Sequence, residues 1–133
     1  MKKLFFALGI LLVTLSAFES DLRFKVKEMT VHTLVDDEWE IVYDKEEVFG
    51  IFVITDSRLY LHTNENEWYY DLISEVAADT LDNIYVSTAN YLDHDGNRPI
   101  ISIQIPAEYT GKVEVLMLYE KLKIFYLMED MFL

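Results

Sequence analysis

VFGIFVITDSRLYL, residues 48–61, sets two β-branched and aromatic runs on either side of the polar pair Asp56-Ser57. Runs of that composition suit a pleated, half-buried surface, and a polar break between them signals a hairpin. A two-residue turn at Asp56-Ser57 places Thr55 opposite Arg58, Ile54 opposite Leu59 and Phe52 opposite Leu61. Phe52, Ile54, Leu59 and Leu61 then share one face. A slip of one residue would send one strand's apolar set to the other side, so the pattern selects this pairing. Phe49, Ile51 and Val53 make the opposite face apolar as well, which predicts a hairpin covered on both sides at the centre of a β-sheet.

The segments before it continue the rhythm. Leu22, Phe24 and Val26 alternate with Arg23, Lys25 and Lys27, giving a first strand with one wet face. The apolar parity then passes to Met29 and Val31, as a bulge near Lys27-Glu28 or a break into two strands would produce. Asp36, Asp37 and Glu38 form a turn. A three-residue loop there pairs Val35 with Trp39 and Val31 with Tyr43, and Asp44 to Glu47 turns the chain into the central hairpin.

After Leu61 a four-residue loop, Asn64 to Glu67, pairs Thr63 with Trp68 and Leu61 with Tyr70, so Tyr70 and Leu72 join the same face. Ser74 to Asp82 is the helical candidate, two turns long with Ser74 as its cap, and a loop is the alternative. Asn83–Tyr91 and Arg98–Ile105 read as a hairpin about a type I′ turn at Asp95-Gly96. That register sets Val86 against Ile105, Thr88 against Ile103, Asn90 against Ile101 and Asp93 against Arg98. A last turn at Lys121-Leu122 pairs Tyr119 with Ile124 and Val115 with Met128, and the apolar tail Met131-Phe132-Leu133 is expected to dock.

Tight connections throughout predict an all-β, antiparallel up-and-down meander of eight or nine strands. Such a chain closes into a small barrel or folds over as a β-sandwich. A barrel removes exposed edges, and the few Pro and bulge signals for sandwich corners favour it. Trp39 near the start of a meander resembles the lipocalins, whose signature places Gly two residues before the Trp. Asp37 stands at that place, and Trp39 follows a hairpin rather than opening the barrel. The resemblance is one of architecture and implies little about function.

Met1-Lys2-Lys3 followed by the apolar run Leu4–Phe18 has the layout of a Sec signal peptide, residues 1–17, leaving a single domain over 18–133. The run is 15 residues long, short of the roughly 20 that span a bilayer, so no stable membrane span is expected after cleavage. No Cys follows the run, which excludes a lipoprotein anchor and leaves a secreted or periplasmic product of bacterial type. Without Lys2 and Lys3 the remainder holds 9 basic and 24 acidic residues, a formal charge of −15. That balance repels phosphate backbones and argues against nucleic-acid binding. It suits solubility, or a basic partner.

The chain offers no Cys nucleophile, no Gly-x-Ser-x-Gly elbow and no Gly-rich phosphate loop. His32, His62 and His94 lack the close spacing of a zinc site, and nothing pairs two carboxylates across a cleft. No enzyme and no cofactor is implied. The first expectation is an exported, non-catalytic binding module. It would hold a small apolar ligand among Phe52, Ile54, Leu59, Leu61, Tyr70 and Leu72, with Trp39 at one mouth. The second is a solid-core structural or protein-interaction domain, inhibitors included, whose acidic surface meets a basic partner. The third is a divalent-cation site at Asp93, Asp95 and Asn97, although Arg98 and Gln104 stand where a calcium loop of the EF-hand kind requires Gly and Glu.

Overall fold

The central hairpin forms in the register that its sequence selects. Ile54 pairs with Leu59 and Phe52 with Leu61, and the Thr55 amide donates to the Arg58 carbonyl at 3.0 Å. The computed structural model describes residues 22–63, 66–81, 84–106 and 112–130. The proposed leader, residues 1–17, and the tail, residues 131–133, lie outside the described residues.

Among the described residues eight strands follow one another: β1 (Leu22–Val35), β2 (Glu38–Ile54), β3 (Arg58–Thr63), β4 (Glu67–Leu81), β5 (Ile84–Asp93), β6 (Ile100–Pro106), β7 (Val113–Leu118) and β8 (Leu122–Asp130). Each pairs antiparallel with the next, and β8 returns to β1 through Val26–Met128 and Thr33–Leu122, closing a barrel. Closure decides between barrel and sandwich. The inward face of β1 carries Phe24 and Val26, and that of β3 carries Leu59 and Leu61. These join Phe52, Ile101, Ile103, Val113, Val115, Met117, Tyr126 and Met128 in one buried cluster. Burying a side chain of this size contributes roughly 1.5–3 kcal/mol, so the cluster dominates the stability of the barrel. Gly50 leaves no room for a side chain: a Cβ there would lie 2.8 Å from the His62 carbonyl oxygen.

Several local expectations are corrected. The turn after β1 has two residues, not three: Val35 pairs with Glu38, and Asp36 and Asp37 both hold positive φ (51° and 64°). That is the conformation of a type I′ turn, whose twist matches the flanking strands. Val31 still meets Tyr43, because a register shift between Val31 and His32 absorbs the difference. Asp44–Glu47 is no turn. The strand runs on through it by a second shift between Met29 and Val31, with Lys45 at φ 52° and its amide donating to the Thr30 hydroxyl at 3.1 Å. The bulge near Lys27-Glu28 is present, between Val26 and Glu28.

From Ser74 to Leu81 the chain is neither helix nor loop but the continuation of β4, and Asp82 lies outside the described residues. A two-turn helix has few hydrogen bonds of its own, whereas the strand gains a ladder with β5 from Ser74–Asn90 to Leu81–Ile84. Leu61 pairs with Trp68 rather than Tyr70, and Val115 with Tyr126 rather than Met128. Both are slips of two, which keep every side chain on its expected face. Between β5 and β6 the slip is of one: Ala89, not Asn90, opposes Ile101, and Tyr85, not Val86, opposes Ile105. Val86, Thr88 and Asn90 therefore lie outside the barrel. Asp95-Gly96 is not a two-residue turn, because β5 runs on to Asp93, whose amide donates to Asn97 rather than facing Arg98.

The strands are unequal, and this shapes the surface. β3 pairs with β2 only over Gly50–Ile54 and with β4 only over Glu67–Asp71. β2 therefore runs on past β3 with only β1 beside it, an arm of the sheet in which β1 stays paired with β8 as far as Thr33, and β4 overhangs the opposite end. The central hairpin is covered on one side only. Val53 is buried by its neighbours, while Ile51 and Phe49 on the outer face are exposed.

Candidate functional site

Phe52, Leu59, Leu61 and Tyr70 are brought together as expected, and all four are buried. Ile54 packs against them, half-buried. They form part of the closely packed interior along with Phe24, Met117 and Met128. Leu72 has the right parity, since it pairs with the buried Tyr91. It is exposed nonetheless, because β3 begins at Arg58, opposite Asp71, and beyond it Leu72 meets only the turn, its amide donating to the Ser57 carbonyl at 2.9 Å. Trp39 is not with the others. It lies on the arm, where the Lys123 ammonium sits 4.5 Å from its ring centroid.

The barrel end that carries the β1–β2, β3–β4, β5–β6 and β7–β8 connections holds an open recess of about 570 Å³, lined in part by Thr33, Asp93, Tyr119, Lys121 and Ile124. At its floor is the buried Asp93. One carboxylate oxygen accepts from the amides of Asp95 (3.0 Å) and Asn97 (2.8 Å), and the other accepts from the Tyr119 hydroxyl at 2.8 Å. A buried carboxylate is tolerated when its lone pairs are met in this way. Burial, then the bond to Asp93, pushes the Tyr119 phenol well above its ordinary range. Tyr70 is raised by burial and by nearby Tyr126 and Asp93, and burial pushes Tyr126 up to about 12. All three phenols are neutral hydrogen-bonding groups at neutral pH. Asp93, Asp95 and Asn97 are thus brought together, but through the Asp95 and Asn97 amides on one Asp93 oxygen, with the Tyr119 hydroxyl on the other. Among the described residues no three His, Cys, Asp or Glu side chains converge.

The arm is the other notable surface. Beyond Gly50 the outer edge of β2 faces no strand among the described residues. Trp39, Ile41, Val42, Tyr43 and Phe49 are exposed along it, Ile41 at 58% and Phe49 at 66%. Asp36, Asp37, Glu38, Glu40, Asp44, Glu46 and Glu47 are exposed among them. The sequence shows this cluster, but its division into two separate turns hid that one continuous strand presents it. On the neighbouring outer face of β3 and β4, Arg58 donates through Nε to Asp71, and its guanidinium lies 4.6 Å from the Tyr69 ring centroid. Tyr60 stacks on His62, which meets Glu67 at 3.0 Å.

No protein-family model, curated protein or solved structure matches this chain.

Proposed function

We propose that this protein is an exported, non-catalytic interaction module that engages a protein partner through the β1–β2 arm. The observation that carries the reading is the arm itself: a strand exposed on both faces, paired along one edge only, with large apolar side chains at 49–66% exposure among carboxylates. Such apolar surface on a water-exposed ribbon is costly unless something covers it. Aromatic and aliphatic anchors inside a charged rim are what protein interfaces use. The carboxylates favour a partner that alternates basic and apolar residues. The three register shifts along β1–β2 twist the free edge. Twisted, bulged edges resist indiscriminate strand addition, so recognition falls to the side-chain faces.

A small apolar ligand inside the barrel is the weaker reading, because the residues expected to hold it fill the interior themselves. The test is titration with an extended peptide of alternating Lys and Val, read by Trp39 fluorescence in a Trp68→Phe background. Saturable binding that weakens with salt and is lost in Ile41→Ser supports the reading. Equal response to an alternating Glu and Val peptide refutes it.

A further inference from the structure

Resting on that reading, we propose that the open recess beside the arm is a lysine pocket, which receives the alkylammonium side chain of one residue of the partner. At about 570 Å³ the recess has the size of a ligand pocket. Its floor holds an acceptor that lacks a donor. Asp93 is only 7% exposed; one carboxylate oxygen takes two amides, whereas the other takes the Tyr119 hydroxyl alone. A carboxylate oxygen has about two acceptor positions, so one on the second oxygen is unfilled among the described residues. A buried acceptor in that state favours a group that donates to it.

The walls define the donor. Leu122 and Ile124 supply apolar surface, and Asp95 and Glu120 stand with Asp93 against a single base, Lys121. Three carboxylates against one ammonium make the field there negative, and a concave site concentrates it. A lysine matches both features, with an apolar stem and a compact charged head of about three donors. A calcium ion needs roughly six to eight converging oxygens, and among the described residues no three His, Cys, Asp or Glu side chains converge.

The arm leads a lysine to this place. Thr33 lines the recess and pairs with Glu40, and Val35 pairs with Glu38. Paired residues share a face, so Glu38 and Glu40 lie on the recess side of β2, and Trp39 and Ile41 lie on the other. A partner segment extended along the free edge of β2 sends alternate side chains to the two faces. Its apolar residues then meet Trp39 and Ile41, and its lysines pass Glu40 towards Asp93.

NMR of the full chain tests the pocket through the ring signals of Tyr119. They should shift as the alternating Lys-Val peptide saturates the protein. Asp95→Asn combined with Glu120→Gln alters two exposed side chains and leaves the bonds to Asp93 in place. This double variant should bind the peptide about tenfold more weakly or worse, equivalent to 1.4 kcal/mol. n-Butylammonium, which has the stem and head of lysine without a peptide, should shift the same signals at high concentration, and n-butanol should not. A peptide that binds with Tyr119 unmoved and the double variant unaffected overturns the pocket and leaves the arm reading standing. If n-butylammonium shifts Tyr119 but the peptide does not bind, the pocket holds and the arm reading fails. If neither probe binds, both fail.

Discussion

Replacing Asp93 by Ala removes a carboxylate that closes the β5–β6 connection and anchors Tyr119 at once. Three donors lose their acceptor: two loop amides and one phenol. The loop from His94 to Arg98 is exposed, so the two amides regain water. The Tyr119 hydroxyl is half-buried and regains less. Hydrogen bonds to charged groups are worth about 1.5–3 kcal/mol net, which with partial rehydration puts the loss at roughly 2–4 kcal/mol. Tyr119→Phe should cost about 1–2 kcal/mol, and the double variant less than the sum, with a coupling of about 1 kcal/mol or more. Urea unfolding at neutral pH reads this as a shift in midpoint at constant slope. With a slope of about 1.5 kcal/mol per molar, Asp93→Ala should move the midpoint by about 1.3–2.7 M. A loss below about 1 kcal/mol, or additive single effects, would show that the carboxylate does not hold this end of the barrel shut.

Three further outcomes follow from the geometry. Gly50→Ala should destabilise by roughly 1–3 kcal/mol, because its Cβ would press on the His62 carbonyl and a backbone atom cannot rotate away; thermal unfolding reads this as a lowered Tm. Asp37→Gly should stabilise by up to about 1 kcal/mol, since φ of 64° suits Gly better than a residue with a Cβ, and the same melt shows a raised Tm. Stability should be full below pH 10 and fall as pH rises towards 12. Burial pushes Tyr91 and Tyr126 up to about 12 from an ordinary value of 10.0, so the unfolded chain loses those protons first. Each contributes about 2–3 kcal/mol over that interval, and urea midpoints measured at rising pH give the slope.

Where side-chain parity decides structure, the sequence was legible. The Phe52–Leu61 register and the bulge after Val26 follow from it and the meander from the short connections, whereas closure rests on the β8–β1 pairing between distant segments. Errors of two residues at Leu61 and Val115 left the faces intact, because parity is blind to them. The one-residue error at β5–β6 arose from local turn chemistry. Asp95-Gly96 resembles a two-residue turn, but Asp93 binds the Asn97 amide and lengthens the connection. The arm was illegible for a related reason. Acidic residues at Asp44–Glu47 signal a turn, and only the pairing with β1 across bulges shows that the strand continues through them. Leu72 was misplaced because the short β3 leaves it outside the barrel, and Trp39 because the two-residue turn sets it opposite Leu34 rather than Val35 and so turns it to the outer face.

The central claim, that the arm is a surface made to be covered by a protein, is tested most directly by amide hydrogen exchange along β2 with and without the alternating Lys-Val peptide. Free protein should exchange faster over 38–47 than over Gly50–Ile54, where β3 pairs. Bound peptide should slow the first segment and leave the second unchanged. Unaltered exchange over 38–47 at saturating peptide would contradict the account.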